Sequence, residues 1–249
     1  MTIYLKIFRG TAGDQYWEEF IVESGKGLNI IAALMEIQKN PVNSKGEKTI
    51  PVAWESGCLE EVCGACSMLI NGIPRQACTA LIDEIVQETK KETITVAPLT
   101  KFPLIRDLVV DRSIMFESLK RVKAWVEIDG YNDKGPGPKL SPKQQEVMYR
   151  LSRCMTCGCC SESCPQVNER SSFIGPAPIA QVRLFSIHPT GKKEHPTRTR
   201  ELQKEGGVAS CGNAQNCVRV CPKKVPLTDS IAVAGRDTTI QAINDLFKS

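Results

Sequence analysis

Twelve cysteines in a chain of 249 residues limit more strongly than any other feature what this sequence can fold into. They fall into three short groups, at positions 58–78, 154–164 and 211–221. The N-terminal stretch lacks the apolar core of a secretory signal, which predicts a reducing compartment where disulfides are disfavoured. Burial can account for one or two free thiols, but not for three clusters of them. The cysteine groups therefore indicate metal or redox chemistry.

The first group has the spacing C-x4-C-x2-C, with a fourth cysteine after eleven more residues. This spacing is typical of plant-type [2Fe–2S] ferredoxins. Glycines in the loop allow backbone N–H groups to turn toward the cluster without a steric clash. Zinc is the alternative metal, but zinc sites favour paired C-x2-C knuckles and the group has one such pair. We predict a [2Fe–2S] cluster with the ligands Cys58, Cys63, Cys66 and Cys78.

The second group has the spacing C-x2-C-x2-C-x3-C-P, which is typical of bacterial two-cluster ferredoxins. In that motif the first three cysteines bind one cluster, and the cysteine before proline binds the other. Cys159 lies outside the motif beside Cys160, and we interpret it as a neighbouring residue that is not a ligand.

The third group matches the same template at Cys211, Cys217 and Cys221, but the second cysteine position falls on Ala214. If the last cysteine of each group binds the cluster of the other group, as in that motif, one cluster has four thiolate ligands and the other has three. Three thiolates predict a [3Fe–4S] cluster, because no ligand holds a fourth iron. The alternatives are water or Cys159 as the fourth ligand, or an ordinary two-cluster ferredoxin. The predicted ligands are Cys154, Cys157, Cys160 and Cys221 for [4Fe–4S], and Cys164, Cys211 and Cys217 for [3Fe–4S].

The first half of the chain has mixed strand and helix patterns. Alternating apolar residues from Ile3 to Ile7 predict a half-buried strand, and the apolar spacing over 28–38 predicts a helix. A short apolar run before Asn71–Gly72 predicts a strand that ends in a hairpin turn. Similarity to known ferredoxins then suggests a β-grasp fold.

The second half is predicted to be helical, over 110–125, from Ser141 onward and over 228–247, with a Gly/Pro-rich loop at 131–138. Ser141, followed by proline and then by Gln144, is a typical helix start. The fold class is therefore α+β. We predict a β-grasp plant-type [2Fe–2S] ferredoxin domain over 1–105. An α-helical bacterial two-cluster ferredoxin-like domain follows over 106–249.

The order of the three motifs resembles that of the iron–sulfur subunits of succinate dehydrogenases and fumarate reductases. All four [2Fe–2S] positions are cysteine here, whereas some family members have Asp at the third. The segments that carry the resemblance are Asn43–Lys45, Cys58–Cys66, Gly72 with Arg75, Phe173–Pro176 and Cys217–Pro222.

The resemblance implies a complex with a flavoprotein, whose covalently bound FAD oxidises succinate, and with a membrane cytochrome b anchor that holds haem b. Electrons would pass through [2Fe–2S], [4Fe–4S] and [3Fe–4S] to a quinone, and this subunit would carry no dicarboxylate chemistry. The alternatives are a fumarate reductase working in the opposite direction and a heterodisulfide or thiol-linked fumarate reductase. Because no run of eighteen apolar residues occurs, we expect a peripheral subunit without a transmembrane segment, on the cytoplasmic face of the cytoplasmic membrane. No nucleic-acid-binding motif is present.

The quinone type is suggested by what two segments lack. Many ubiquinone-linked members have tryptophans after the Cys-Pro pair and a histidine after the first cysteine of the last group, and this chain has neither. The pattern resembles the menaquinone-linked branch with a single cytochrome b anchor. Four residues flank the predicted three-iron cluster and are candidates for quinone contact: Pro165, Val167, Asn168 and Gly212.

Overall fold

The structure is a computed structural model that describes residues 1–127 and 139–247. It divides into two compact units, each made of two separate segments of the chain. The first comprises Met1–Arg112 together with Met155–Glu162. The second comprises the described residues of Ser113–Cys154 and Ser163–Ser249. A short segment of the second cysteine group thus belongs to the first unit. The boundary after residue 105 stays a prediction.

Five strands of the first unit form a mixed sheet with the order β2-β1-β5-β3-β4. Strands β1 and β2 are an antiparallel hairpin, β1 pairs with β5 in parallel, and β3 and β4 are a second hairpin. The Asn71–Gly72 turn connects this second hairpin, as predicted. Two further short strands, β6 and β7, pair with each other. The bounds are β1 Thr2–Thr11, β2 Asp14–Glu23, β3 Ser67–Ile70, β4 Ile73–Gln76, β5 Thr93–Ala97, β6 Leu104–Arg106 and β7 Val109–Val110.

The core of the first unit lies between the sheet and helix α1, Ile30–Lys39. Asn29 caps this helix by accepting a hydrogen bond from the Ala32 amide at 2.8 Å. The predicted alternation places Ile3, Leu5 and Ile7 on the buried face of β1, where all three are fully buried. A second helix, α2 at Ile82–Thr89, covers the same core. The sheet and the two helices form the base from which the first cysteine loop projects.

The second unit is built from helices. Ser141 and Gln144 form the predicted capping box at the start of α4. Helices α6, α7 and α9 pack around a core that includes Phe173, Ile179 and Leu202. Short 3₁₀ helices lie at Gly191–Glu194 and Val208–Ser210. The α-helices are α3 Ser113–Arg121, α4 Pro142–Ser152, α6 Pro176–Ile187, α7 His195–Gln203, α8 Asn216–Arg219 and α9 Leu227–Leu246, and α5, Cys159–Glu162, belongs to the first unit.

One helix prediction was too long. Apolar spacing predicted a helix over 110–125, but α3 is confined to Ser113–Arg121. Val110 belongs to β7, and Lys123 has a φ of 49°, a left-handed conformation that ends the helical turn. The predicted loop at 131–138 lies outside the described residues.

Candidate iron–sulfur sites

The first cysteine group lies on a loop that directs backbone N–H groups at thiol sulfurs. The Sγ atom of Cys58 accepts from the amides of Glu60, Val62 and Cys63 at 3.1–3.4 Å. Those of Glu60 and Val62 are the main reason why the pKa of Cys58 is lowered to about 7. The loop therefore favours a thiolate at Cys58, which is the form that binds iron.

Left-handed backbone conformations produce this arrangement. Leu59, Glu61 and Gly64 have φ values of 61°, 57° and 75°. Such residues turn successive N–H groups to one side, making a concave, anion-binding surface. A sulfide-bridged iron cluster with its thiolates is such an anion, so the residues present fit the cluster that the spacing predicts.

The other two cysteines of the first group come from the ends of the β3–β4 hairpin. Cys66 immediately precedes β3, and Cys78 follows β4 by two residues. The Ala77 amide donates to the Cys66 carbonyl at 3.1 Å, which continues the ladder beyond the strands. Burial raises the pKa of the Cys66 thiol to about 11, with the neighbouring Cys78 thiol adding to the rise. The hairpin thus places two buried thiols beside each other.

The middle of the second cysteine group packs against the first cysteine loop, within the first unit. A Cβ atom added to Gly64 would lie 2.9 Å from both Cα and Cβ of Cys157. Glu162, at the end of α5, accepts hydrogen bonds from the Thr100 hydroxyl at 2.7 Å and the Lys101 amide at 3.0 Å. The backbone at Gly64, between two predicted [2Fe–2S] ligands, therefore packs directly against Cys157, a predicted ligand of a different cluster.

Substitution of Gly64 by alanine should weaken this packing. The change combines an unfavourable positive φ, worth about 1 kcal/mol, with a clash against the Cys157 backbone. We expect a lower iron content and a lower midpoint of thermal unfolding. The matched control is Gly72→Ala, because Gly72 has a φ of 77° but nothing within 4 Å of an added Cβ. Equal losses in the two variants would mean that the contact with Cys157 is unimportant.

The thiols of Cys157 and Cys159 share a hydrogen bond in the interior. It lowers the pKa of Cys157 to about 7 and raises the pKa of Cys159. The guanidinium of Arg112 also favours the Cys157 thiolate. Arg112 donates to the carbonyls of Gly64 at 2.6 Å and Ala65 at 3.2 Å. One cation thus lies beside both cysteine-bearing segments of this unit.

Three predicted three-iron ligands come together in the second unit. Burial raises the pKa of Cys217, and the nearby Cys164 and Cys211 thiols raise it further. The Asn216 side-chain amide donates to the Ser163 carbonyl at 3.1 Å, which joins α8 to the residue before Cys164. The described residues thus supply three close thiols, and Ala214 lies exposed in the loop between Cys211 and α8.

The proposed quinone-contact residues flank these three thiols in sequence. Pro165, Asn168 and Gly212 are exposed, and Val167 is half-buried. Asn168 is partly engaged, since its side-chain amide donates to the Pro165 carbonyl at 2.9 Å. A Cβ on Gly212 would approach the Gln166 amide nitrogen to 2.7 Å. Their role stays a prediction.

The four predicted [4Fe–4S] ligands are divided between the units. Cys157 and Cys160 belong to the first, and Cys154 and Cys221 to the second. Cys221 accepts a hydrogen bond from the Val225 amide at 3.4 Å. The twelve cysteines all lie among the described residues, and no disulfide joins any two of them. Across residues 1–127 and 139–247, no three His, Cys, Asp or Glu side chains are grouped as ligands of a single metal ion.

Sequence reasoning missed two polar residues that contact the cysteine segments. Arg112 lies between the strands and α3 without a motif of its own, and Gln76 is a fully buried amide at the end of β4. The polarity of Gln76 did not mark it as buried, because Arg75 beside it in β4 is also polar. Arg112 had no signal in the sequence, because its partners, the carbonyls of Gly64 and Ala65 and the carboxylate of Glu55, lie far from it in the sequence.

A β-grasp unit with an anion-binding cysteine loop, together with a helical unit of two-cluster cysteine spacing, defines an iron–sulfur protein of the ferredoxin class. Residues 4–117 match the family model described as a 2Fe-2S iron–sulfur cluster binding domain. Residues 150–225 match the model described as a 4Fe-4S dicluster domain.

The chain belongs to the family of succinate dehydrogenase and fumarate reductase iron–sulfur subunits. It is 56% identical to the succinate dehydrogenase iron–sulfur subunit of Bacillus subtilis, over all of this chain and 97% of that protein. It is 32% identical to the fumarate reductase iron–sulfur subunit of Wolinella succinogenes, over 89% of each chain. A chain of the Mycobacterium smegmatis Sdh1 complex has the same fold, with a TM-score of 0.81 over 96% of each chain at 24% identity. The higher identity favours the succinate dehydrogenase interpretation over the fumarate reductase alternative.

Within the described ranges, no helix combines the length and the apolar character needed to cross a bilayer. This includes α9, the longest of the helices given above at 20 residues.

Proposed function

We propose that this chain is the electron-transfer subunit of a succinate:quinone oxidoreductase. It would pass electrons from the FAD of a flavoprotein partner through [2Fe–2S], [4Fe–4S] and [3Fe–4S] clusters to a quinone. The observation that carries the proposal is the presence of all three cysteine groups, in order, in a chain 56% identical to a succinate dehydrogenase iron–sulfur subunit over its full length. Fumarate reduction over the same route is the second candidate, supported by the 32% identity to a fumarate reductase subunit.

The clusters, when bound, supply reversible one-electron transfer. The residues of the chain hold and tune them. We assign Cys58, Cys63, Cys66 and Cys78 to [2Fe–2S], and the exchanged sets given above to the other two clusters. The amides that donate to Cys58 would stabilise the negative charge of the ligands. Arg112 would add a fixed positive charge close to two of the cysteine segments.

The partners follow from the family. We propose a flavoprotein with covalent FAD on one side and a cytochrome b anchor with haem b on the other, with menaquinone as the acceptor. The subunit would then lie on the cytoplasmic face of the cytoplasmic membrane, held there by the anchor. Support comes from the name of the Bacillus subtilis relative as a subunit and from the cysteine order.

The test is low-temperature EPR on the anaerobically purified complex, first as isolated and then after dithionite. We expect an oxidised three-iron signal that disappears on reduction, together with signals from reduced [2Fe–2S] and [4Fe–4S]. The non-haem iron content should be about nine atoms per copy of this chain. Two four-iron clusters and no three-iron signal would contradict the ligand assignment. A colourless protein that contains zinc would contradict the proposal as a whole.

A further inference from the structure

The amide of Gln76 is a buried polar group that contacts cysteines of two groups. Its side chain has no solvent exposure. Its Nε2 atom donates to the Ser67 hydroxyl at 2.9 Å and to the Cys159 sulfur at 3.5 Å, and its Oε1 atom accepts from the Cys66 thiol at 3.6 Å. All four residues belong to the first unit. A buried amide needs such partners, because burial without them is costly.

The sheet register holds this amide beside Cys66. Gln76 is the last residue of β4 and pairs with Ser67, the first residue of β3. Cys66 directly precedes Ser67, and its carbonyl accepts from the Ala77 amide at 3.1 Å. The glutamine therefore cannot move away from the cysteine without breaking the end of the hairpin.

The direction of the hydrogen bond must depend on the state of Cys66. A thiol can donate to Oε1, but a cluster ligand is a thiolate with no proton to donate. A half-turn of the amide exchanges Nε2 and Oε1, which have nearly the same shape. Nε2 then donates to the Cys66 sulfur, and Oε1 accepts from the hydroxyl of Ser67.

The surroundings tolerate this exchange. In the structure the Ser67 hydroxyl donates to the Gly64 carbonyl at 2.7 Å. Arg112 donates to that same carbonyl at 2.6 Å. When the Ser67 hydroxyl turns away to donate to Gln76, the Gly64 carbonyl still accepts from Arg112. The carbonyl therefore does not lose its last hydrogen-bond partner.

We propose that Gln76 is a positioning residue that donates a side-chain amide hydrogen bond to the cluster-bound thiolate of Cys66 and thereby raises the reduction potential of the [2Fe–2S] cluster. Reduction adds negative charge, and an N–H donor on a ligand sulfur stabilises the reduced form more than the oxidised form. Ser67 orients the amide by donating its hydroxyl proton to the amide oxygen. The inference rests on the proposed function.

The direct test uses the unaltered complex. The protein is labelled with ¹⁵N at glutamine side chains, reduced, and studied by pulsed EPR at the field of the [2Fe–2S] signal. A hyperfine coupling to glutamine nitrogen is expected, and it should vanish in Gln76→Met. A reduced [2Fe–2S] signal with no such coupling would overturn the inference while leaving the proposed function intact. Absence of the [2Fe–2S] signal would overturn both.

A redox titration followed by EPR provides the second readout. In Gln76→Met the [2Fe–2S] midpoint potential should become more negative, while that of the three-iron signal stays unchanged. The matched control is Gln38→Met, which removes an exposed amide of α1 in the same unit. An unchanged [2Fe–2S] potential in Gln76→Met would contradict the inference. If that variant fails to assemble, the labelling experiment on the unaltered complex still decides.

Discussion

Replacement of Ala214 by cysteine is expected to convert the three-iron site into a four-iron site. Ala214 occupies the template position of the missing cysteine, between Cys211 and Cys217. A fourth thiolate would bind a fourth iron, remove the EPR signal of the oxidised three-iron cluster, and lower the potential at this site. Every ~59 mV of lowering makes a one-electron transfer tenfold less favourable at equilibrium. We therefore expect succinate:quinone activity to fall at least about tenfold.

The local structure makes the substitution a mild one for the fold. Ala214 is exposed and lies between Asn213 and Gln215, whose φ values are 51° and 60°. Cysteine adds one sulfur atom to a Cβ that is already present. Ala214→Ser is the matched control, since it adds an oxygen at the same place and should retain the three-iron signal. A full three-iron signal in Ala214→Cys would show that this position does not face the cluster.

Removal of the Arg9 guanidinium is expected to destabilise the first unit by about 3–5 kcal/mol. Arg9 is buried, with ion pairs to Glu18 and to Asp107, the latter at 3.2 Å. Arg9→Met would remove the buried cation that both carboxylates share. Asp107 would keep the main-chain donors Gly10 and Ala53 at 2.8 Å and an ion pair at 3.6 Å with Arg106, whose side chain is exposed.

The measurement is the thermal loss of the [2Fe–2S] visible circular dichroism in the purified complex. We expect Arg9→Met to lower the midpoint by at least ~10 °C. The control is Lys39→Met, which breaks an exposed ion pair with Glu36 and should cost less than ~1 kcal/mol. Similar midpoints for the two variants would show that burial of the Arg9 network contributes little.

Elements with a local cause were predictable from the sequence. The alternation at Ile3–Ile7, the Asn71–Gly72 turn and the capping box at Ser141 each depend on residues within a few positions, and each is present in the structure. The family could also be named from the cysteine spacing, because the motifs are long. The helix predicted over 110–125 was wrong at both ends, where strand pairing at Val110 and a left-handed residue at Lys123 override the apolar spacing.

The ligand identities remain sequence-based predictions, but the surroundings of the ligands are structural findings. The contact between Gly64 and Cys157 joins residues 93 positions apart, and the bond between Gln76 and Cys159 spans 83. No periodicity or motif reports such pairs. They depend on how the loop after Cys154 packs against the hairpin.

The sequence by itself determined the cysteine groups, the spacing rules that predict their clusters, and the strands and helices that begin and end at local signals. The tertiary structure decided which backbone amides donate to Cys58, which cation lies beside Gly64 and Cys157, and which buried amide contacts Cys66. The physical reason is the distance along the chain over which each kind of interaction acts. Turn, cap and motif preferences act over a few residues, whereas burial and hydrogen bonding depend on groups that only folding brings together.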